Sequence, residues 1–314
     1  MPDRQGKGHR FALVGLGYTG TSLGLALRRA YSAAIVAGHD RDAGAAKAAL
    51  KAGAVTKTHW NLIDACDGAQ VVFLALPARE VIATLAPLAN ELAQGVIISD
   101  TASIKAPIVR WAAANLAPTV HYVGGHPLLR RSEPASADAC RGCTYCLTPV
   151  PDTDPGAVAI VADVVAAIGA NAVFLDPGEH DGMMLYLRQM PALAAAAALQ
   201  LAAESDTRTD LRALRGALSP EAVSLAAELE PLAGTLLQDS DLAPLRAWLD
   251  RYIGLLQRLR AALEPGDEAD IDEAVSGLDA GRAFWENEPA ERPGSGTDDA
   301  RSRGESWRRL LGMR

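Results

Sequence analysis

Short apolar runs alternate with amphipathic stretches along the first half of the chain. Runs of strand length lie at residues 11–14, 33–38, 70–76, 95–99, 121–125, 144–148 and 172–175. Between them, apolar residues recur with the 3.6-residue period of a helix, at residues 21–30, 42–52, 80–92, 104–115 and 157–169. Strands that alternate with helices of this length predict a parallel, doubly wound sheet.

The pattern changes after residue 179, where helical periodicity is almost unbroken. One long helix is predicted over residues 183–204, with Pro191 inside it, and further helices over 208–218, 220–238, 241–263 and 270–285. Residues 288–305 are rich in Pro, Gly, Ser and charge, which favours disorder. The predicted fold class is therefore α/β, a Rossmann-type doubly wound parallel sheet followed by an all-α helical domain.

A glycine-rich turn follows the first strand directly. Gly15, Gly17 and Gly20 form a G-x-G-x-x-G pattern between a strand and a helix, which is the context that a dinucleotide site requires. Asp40 follows the next strand, where an acid accepts hydrogen bonds from the adenosine ribose. A structural glycine turn in another kind of α/β protein is the alternative. We favour the dinucleotide site because strand, glycines, helix, strand and acid all occur in order.

These patterns give candidate cofactor residues and domain limits. Asp40 favours NAD because a carboxylate repels a 2′-phosphate, whereas Arg41 beside it could accept that phosphate from NADP. The candidate cofactor residues are Gly15, Leu16, Gly17, Tyr18, Thr19, Gly20, Asp40, Arg41, Leu76 and Pro77. We expect a disordered leader at residues 1–9, a dinucleotide-binding domain at 10–178, a helical substrate and dimerisation domain at 179–287, and a disordered tail at 288–314.

Composition and charge exclude several classes of partner. The chain has 314 residues and a formal net charge of −8, which does not suggest a nucleic-acid surface. The first ten residues lack the apolar core of a signal peptide, and the most apolar window, residues 190–203, is too short and interrupted for a membrane span. We therefore expect a cytoplasmic protein with a small-molecule substrate. Because one amphipathic bundle rarely buries every face, we also expect a homodimer built on residues 183–203 of the helical domain.

Three cysteines form a C-x-x-C-x-x-C pattern at Cys140, Cys143 and Cys146. A zinc site would need a fourth ligand, for which His121 or His126 could serve. However, residues 144–148 are typical of a strand, where positions three apart point to opposite faces. We therefore predict no metal site and favour buried thiols that act as small hydrophobic groups.

Polar residues at four strand ends are expected to meet at one edge of the sheet, because ligands of doubly wound sheets bind beyond the carboxyl ends of the strands. His126 is the candidate base, since a neutral imidazole can take the proton of an alcohol whose carbon loses a hydride. The alternative is that His126 only ends a strand beside Pro127. Ser103 is a second candidate, with a helix N-cap before Ile104 as its structural alternative. Lys105 is assigned only to the solvent-exposed surface.

Two segments of this edge, D-T-A-S-I-K at residues 100–105 and G-G-H-P at 124–127, resemble those of the prephenate and arogenate dehydrogenases of tyrosine biosynthesis. The resemblance also includes the glycine turn, an acid at Asp40, L-T-P at 147–149 and a histidine–aspartate pair at 180–181, and it covers residues 11–191. It implies NAD(P)-dependent oxidative decarboxylation of prephenate to 4-hydroxyphenylpyruvate, or of arogenate to tyrosine. By position, His126 would accept the C4 hydroxyl proton. Ser103 would bond the same hydroxyl or the nicotinamide side.

The resemblance is weaker on the substrate side. Where the family has S-H-L-P-H, this chain has R-Q-M-P-A at residues 188–192, and the family's G-F-(R/K)-D-x-T-R segment has no counterpart. A substrate with two carboxylates requires fixed cations, preferably arginine. The candidate substrate residues are therefore Arg130, Arg188 and Gln189.

Three functions remain open on these residues. The first is a prephenate or arogenate dehydrogenase with an altered substrate pocket. The second is a dehydrogenase of the same build that acts on another small hydroxy acid. The third is a cofactor-binding regulatory protein without catalysis. His126 and Ser103 favour the first two functions, which are catalytic. The missing substrate motifs favour the second and the third.

Overall fold

The computed structural model describes residues 8–129, 133–227, 243–263 and 268–286. The chain divides into two compact units, one up to residue 240 and one from residue 241 onwards. Arg130, the two terminal segments predicted to be disordered (apart from residues 8 and 9) and the end of the helix predicted at 220–238 lie outside the described residues. The predicted domain limits at residues 178 and 287 stay predictions.

The first unit contains one sheet of eight strands in the order β3-β2-β1-β4-β5-β6-β7-β8. The six strands from β3 to β6 in this order are mutually parallel, so their carboxyl ends share one edge. This confirms the predicted doubly wound arrangement. The strands are β1 Arg10–Val14, β2 Ile35–His39, β3 Lys57–Thr58, β4 Val71–Leu74, β5 Ile97–Asp100, β6 His121–Pro127, β7 Thr144–Thr148 and β8 Asn171–Phe174.

The sheet is mostly parallel, and β7 and β8 run opposite to the other six strands. Strand β7 runs antiparallel to β6, with Gly124 opposite Thr148 and His126 opposite Cys146, and β8 then runs parallel to β7. The described part of the connection from β6 to β7, residues 128, 129 and 133–143, contains one short 3₁₀ turn, Ala137–Cys140, rather than a crossover helix of the usual length. A parallel pair requires such a crossover, so the chain returns in the opposite direction.

Most of the helices that connect the strands lie at nearly the positions that the periodicity predicts, but the short helix at Leu62–Cys66 was not predicted. In the first unit they are α1 Tyr18–Ala30, α2 Ala43–Lys51, α3 Leu62–Cys66, α4 Ala78–Leu88, α5 Ala106–Asn115, α6 Pro155–Ala167, α7 Pro177–Met184, α8 Met190–Glu204, α9 Arg208–Ala213 and α10 Pro220–Ala227. In the second unit they are α11 Ala243–Ala262 and α12 Glu268–Glu286. None of the helices in the described part of the chain is long and apolar enough to span a membrane.

The core lies between the sheet and the helices that cover it. Phe11 and Leu13 of β1 pack in one buried cluster with Leu23 and Leu27 of α1 and with valines of α6. Strand β4 is buried at every residue, as expected of a central parallel strand covered on both faces. This packing fixes the strand ends from which the candidate site is built.

The long helix predicted over residues 183–204 is interrupted. Residues 185–189 form a π-helical turn between α7 and α8, and Pro191 lies in the first turn of α8, where proline is tolerated. A π turn inserts an extra residue into a helix and is frequent at functional sites. Arg188 and Gln189 both lie in this turn.

Candidate active site

The glycine turn lies between β1 and α1 at the carboxyl edge of the sheet. Gly15 has a φ of 89°, which a residue with a side chain rarely adopts. A Cβ at Gly20 would collide with the carbonyl oxygen of Gly15, so the helix approaches the turn as closely as the pattern predicts. Leu76 packs against Gly15 from the end of β4, and Pro77 is the N-cap of α4.

The start of α1 is suited to hold a phosphate group. Gly17 is its N-cap, no side chain caps the helix, and the first turn contains no acidic residue. Gly17 has nothing within 4 Å of the place where a Cβ would be, so a ligand can approach the backbone there. Tyr18 and Thr19, both half-buried, are the first two helical residues. Amide groups at a helix N-terminus bind anions through their hydrogens and the helix dipole, so these residues fit the pyrophosphate of a dinucleotide.

Asp40 is held against the glycine turn. Its Oδ2 accepts a hydrogen bond of 2.6 Å from the Leu16 amide, and its Oδ1 accepts one of 2.8 Å from the Asp42 amide. The acid is therefore fixed at the end of β2, beside the turn, as the ribose-binding role requires. Arg41 is exposed and forms an ion pair with Glu80 of α4. Glu80 thus offsets the charge of Arg41, the arginine that could accept the 2′-phosphate of NADP.

A buried ion pair, which the sequence did not predict, joins the ends of β5 and β6. The Lys105 ammonium contacts the Asp100 carboxylate and also donates a hydrogen bond of 2.6 Å to the Gly125 carbonyl. The Tyr122 hydroxyl donates to the same carboxylate. Both charged side chains are fully buried, so the assignment of Lys105 to the solvent-exposed surface was wrong. Burial lowers the pKa of Lys105, and the Asp100 carboxylate opposes that shift.

Ser103 lies half-buried in the loop between β5 and α5. Helix α5 begins at Ala106 with Lys105 as its N-cap, so the alternative that Ser103 caps this helix was wrong. The loop is shaped by Asp100, whose Oδ1 accepts from the Ala102 amide at 2.7 Å. Ser103 therefore lies between the end of β5 and the start of α5, and it does not cap the helix.

His126 lies inside β6, one residue before its end, and is 3% exposed. Gly124 and Gly125 precede it because no side chain fits there: a Cβ at Gly124 would strike the Thr148 hydroxyl, and one at Gly125 would strike the Asp100 carbonyl. Burial, and then the charges of Lys105 and Arg188, hold the pKa of His126 well below its ordinary value. The imidazole is therefore neutral near pH 7 and can accept a proton.

A second histidine contacts His126. The Nδ1 atom of His126 lies 3.0 Å from Nε2 of His180, and Nδ1 of His180 lies 2.9 Å from Oδ1 of Asp181. From the sequence, His180 and Asp181 are known only as a histidine–aspartate pair of the family resemblance, with no predicted role. The signal available was a histidine–aspartate pair at the start of the first helix after the last strand. That signal does not reveal the contact, because His180 and His126 are 54 residues apart.

The substrate side is described in part. Arg188 lies near enough to His126 for its charge to lower the pKa of that imidazole. Gln189 is 9% exposed, and its Oε1 is buried without a hydrogen-bond partner. Ala192, at the family's second histidine position, is fully buried in α8. The π turn therefore brings one candidate cation close to the candidate base, and the next residue of the turn contains a buried polar atom without a hydrogen-bond partner.

The cysteines of the C-x-x-C-x-x-C pattern are spread over different elements. Cys146 lies in β7 with Thr144–Thr148, as predicted for a strand, while Cys140 lies in the preceding 3₁₀ turn. Burial raises the pKa of Cys140 to about 12, and it also raises the pKa values of Cys143 and Cys146. Metal ligation requires thiolates. Within the described residues, no three His, Cys, Asp or Glu side chains are grouped to hold a metal ion.

Fold and site together define a nucleotide-binding α/β protein whose strand edge carries a neutral, buried histidine. Residues 23–174 match the family model of the prephenate dehydrogenase nucleotide-binding domain. The chain is also 30% identical over 189 residues to prephenate dehydrogenase of Bacillus subtilis, which corresponds to 59% of this chain and 51% of the relative. The chain thus spans about half the length of that relative.

Two solved structures share the fold over most of the chain. Prephenate dehydrogenase from A. aeolicus, in complex with hydroxyphenyl propionate and NAD+, is 20% identical with a TM-score of 0.78, covering 90% of this chain and 100% of that one. Arogenate dehydrogenase from Synechocystis is 22% identical with a TM-score of 0.67, covering 88% of this chain and 99% of that one. Residues 23–174 are therefore those of a prephenate dehydrogenase nucleotide-binding domain, and the two solved structures share the fold of the chain.

Proposed function

We propose that this protein is an NAD-dependent dehydrogenase that oxidatively decarboxylates prephenate or arogenate. The observation that carries the proposal is His126, a neutral and buried imidazole at the sheet edge where the glycine turn and Asp40 also lie. A neutral imidazole matches the chemistry, because oxidation of an alcohol carbon makes its hydroxyl proton acidic. Bound NAD+ would accept the hydride from that carbon.

The chain's own residues would perform the remaining tasks. His126 takes the C4 hydroxyl proton at the nitrogen that does not contact His180, and Ser103 bonds the hydroxyl or the nicotinamide side. The amides at the start of α1 hold the pyrophosphate, and Asp40 accepts from the adenosine ribose. Arg41 is paired with Glu80, which supports NAD over NADP. Loss of carbon dioxide then completes an aromatic ring, which makes the overall reaction strongly favourable.

Arg188 and Gln189 of the π turn, with Arg130, are the proposed substrate residues. Arginine pairs with a carboxylate through two parallel hydrogen bonds, and the charge of Arg188 reaches the region of His126. The unpartnered Gln189 Oε1 favours a ligand that supplies a hydrogen-bond donor. Prephenate and arogenate differ at the side chain, where a keto group replaces an amino group. Of these two acids, arogenate is favoured, because its amino group can donate a hydrogen bond to Gln189 Oε1. Another small hydroxy acid is the competing substrate.

The test is reduction of NAD+ by the purified protein with prephenate and with arogenate, followed by absorbance of the reduced cofactor. We expect turnover with at least one of them and less with NADP+. His126→Asn should lower kcat by about 100-fold or more while the affinity for NADH changes little. His121→Asn, which alters the first residue of the same strand, is the matched control. No reduction with either acid would refute the proposed substrates, and equal loss of turnover and NADH affinity would refute the base role.

We further propose that the protein is a cytoplasmic homodimer assembled through residues 183–203. Met183, Leu187 and Leu201 on this segment are each more than 40% exposed. Met183 and Leu187 lie on neighbouring helical turns, and Leu201 lies near the end of α8. Exposed apolar side chains of this kind are typical of an interaction surface. A second copy of the chain would cover them in a symmetric assembly.

A further inference from the structure

His126, His180 and Asp181 form a continuous chain of hydrogen bonds beneath the proposed catalytic position. The two imidazole rings meet edge to face at 77°, with ring centroids 5.1 Å apart. His126 is 3% exposed, and His180 is fully buried. Water therefore has little access to the nitrogens that face each other, and the protein itself determines which nitrogen carries the proton.

The polarity of this chain is set at Asp181. Its Oδ1 accepts from the Lys105 amide at 2.7 Å, and its Oδ2 accepts from the Ala106 amide at 2.8 Å. These amides open α5, so the carboxylate occupies the positive end of a helix. An ionised carboxylate can only accept hydrogen bonds. The His180 nitrogen that contacts it must therefore carry a hydrogen.

The donor and acceptor roles of both rings follow from that constraint. A neutral imidazole has one N–H and one lone pair. If Nδ1 of His180 donates to Asp181, Nε2 of His180 must accept, and Nδ1 of His126 must donate to it. Nε2 of His126 is then left with a free lone pair. That nitrogen is the one that points away from the histidine pair and is available to a substrate.

We propose that Asp181 and His180 are positioning residues that fix the tautomer of His126, and that His180 receives the proton from its Nδ1. The proposal rests on the proposed base role of His126. In the step, the substrate O–H bond breaks and an Nε2–H bond forms on His126. The Nδ1 proton of His126 passes to Nε2 of His180, and the resulting imidazolium is paired with Asp181. The positive charge thus passes from the buried ring of His126 to a ring that is paired with a carboxylate.

The first test reads the tautomers directly and needs neither substrate nor turnover. Protein labelled with ¹⁵N in histidine gives long-range ¹H–¹⁵N spectra that identify the protonated nitrogen of each ring. With His126→Asn and His180→Gln to assign the signals, we expect His126 to carry its hydrogen on Nδ1 and His180 to carry it on Nδ1. A hydrogen on Nε2 of either neutral ring, or a permanently doubly protonated His180, would overturn the proposal.

The second test is Asp181→Asn, which replaces an acceptor by a group that can donate. The inverted polarity should move the His126 hydrogen to Nε2 and lower kcat by about 100-fold or more, with little change in NADH affinity. Asp64→Asn, an exposed neutralisation on α3, is the matched control. Circular dichroism and urea unfolding establish that both variants fold. A folded Asp181→Asn protein with unchanged tautomers or unchanged kcat would refute the role.

The two tests separate this proposal from the one on which it rests. If neither prephenate nor arogenate is oxidised, the proposed substrates fail, yet the tautomers of His126 and His180 still decide the relay. If the wild type turns over but the tautomers are reversed, the relay fails and the dehydrogenase stands.

Discussion

At the scale of single residues, the site depends on how three charged side chains, two of them fully buried, are arranged around one neutral ring. Lys105 is paired with Asp100, and Asp181 is saturated by two backbone amides and His180. A buried charge without such partners would cost several kcal/mol. The positive charge of Lys105 also disfavours protonation of His126, so the ion pair supports both the fold and the base form of the histidine.

The depressed pKa of His126 gives a pH prediction with a definite sign. The unfolded chain binds a proton on this ring near pH 6.5, whereas the folded protein does so only at lower pH. The acid limb of kcat/KM should therefore lie below pH 6.5, because the base form persists there. Measuring kcat/KM between about pH 5 and 8 tests this.

Stability must be measured over the same range as a control. Because the unfolded state takes up the proton first, the contribution of His126 to stability is complete above pH 6.5 and declines as the pH falls towards the folded pKa. An acid limb that coincides with unfolding would not report on His126. An acid limb at or above pH 6.5 in folded protein would contradict the assignment.

At the scale of elements, the sequence predicted what depends on local pattern. Most strands and helices up to β6 follow from apolar runs and 3.6-residue periodicity, although β3 and α3 were not predicted in this way. Gly15, Gly17 and Gly20 predicted the turn between β1 and α1. The burial of Lys105 was not predictable in this way. Its partners, Asp100 and Gly125, belong to two strands whose pairing is a property of the sheet. Lysine is rarely buried unless it is paired, and no local pattern reveals the partner.

The turn at β1 and the acid at β2 form one functional element, which gives a prediction on the cofactor. Asp40→Ser removes a charged acceptor, and we expect the Kd for NADH to rise roughly 10- to 100-fold, since such a hydrogen bond contributes about 1.5–3 kcal/mol. The affinity for NADPH should rise relative to the affinity for NADH. The rise should be larger in the double variant with Glu80→Gln, in which Arg41 is no longer held in its ion pair. Titration of cofactor fluorescence measures both constants.

The single variant Glu80→Gln is the control for the double variant. It retains Asp40, so it should leave the Kd for NADH nearly unchanged. If Asp40→Ser binds NADH as tightly as the wild type does, then Asp40 does not contact the ribose. Its hydrogen bond from the Leu16 amide would then serve only to shape the turn.

At the scale of the whole molecule, the described helices leave apolar side chains without cover. In the first unit they include Met183, Leu187 and Leu201, and in the second unit they include Leu263, Phe284 and Trp285. The α/β half contains fewer such residues because helices cover both faces of its sheet. This contrast supports an assembly surface on the helical part of the chain rather than on the sheet.

The dimer proposal predicts that a charge on this surface separates the subunits. Leu201 is 72% exposed on α8, and covering a leucine is worth about 1.5–3 kcal/mol. A symmetric interface contains the residue twice, so Leu201→Glu should raise the dissociation constant roughly 100-fold or more. Sedimentation velocity over a range of concentrations measures the shift. Leu50→Glu on α2, where the leucine is 41% exposed, is the matched control and should remain dimeric. A wild-type protein that sediments as a monomer at every concentration, or a Leu201→Glu protein that stays as dimeric as the control, would refute an interface at residues 183–203.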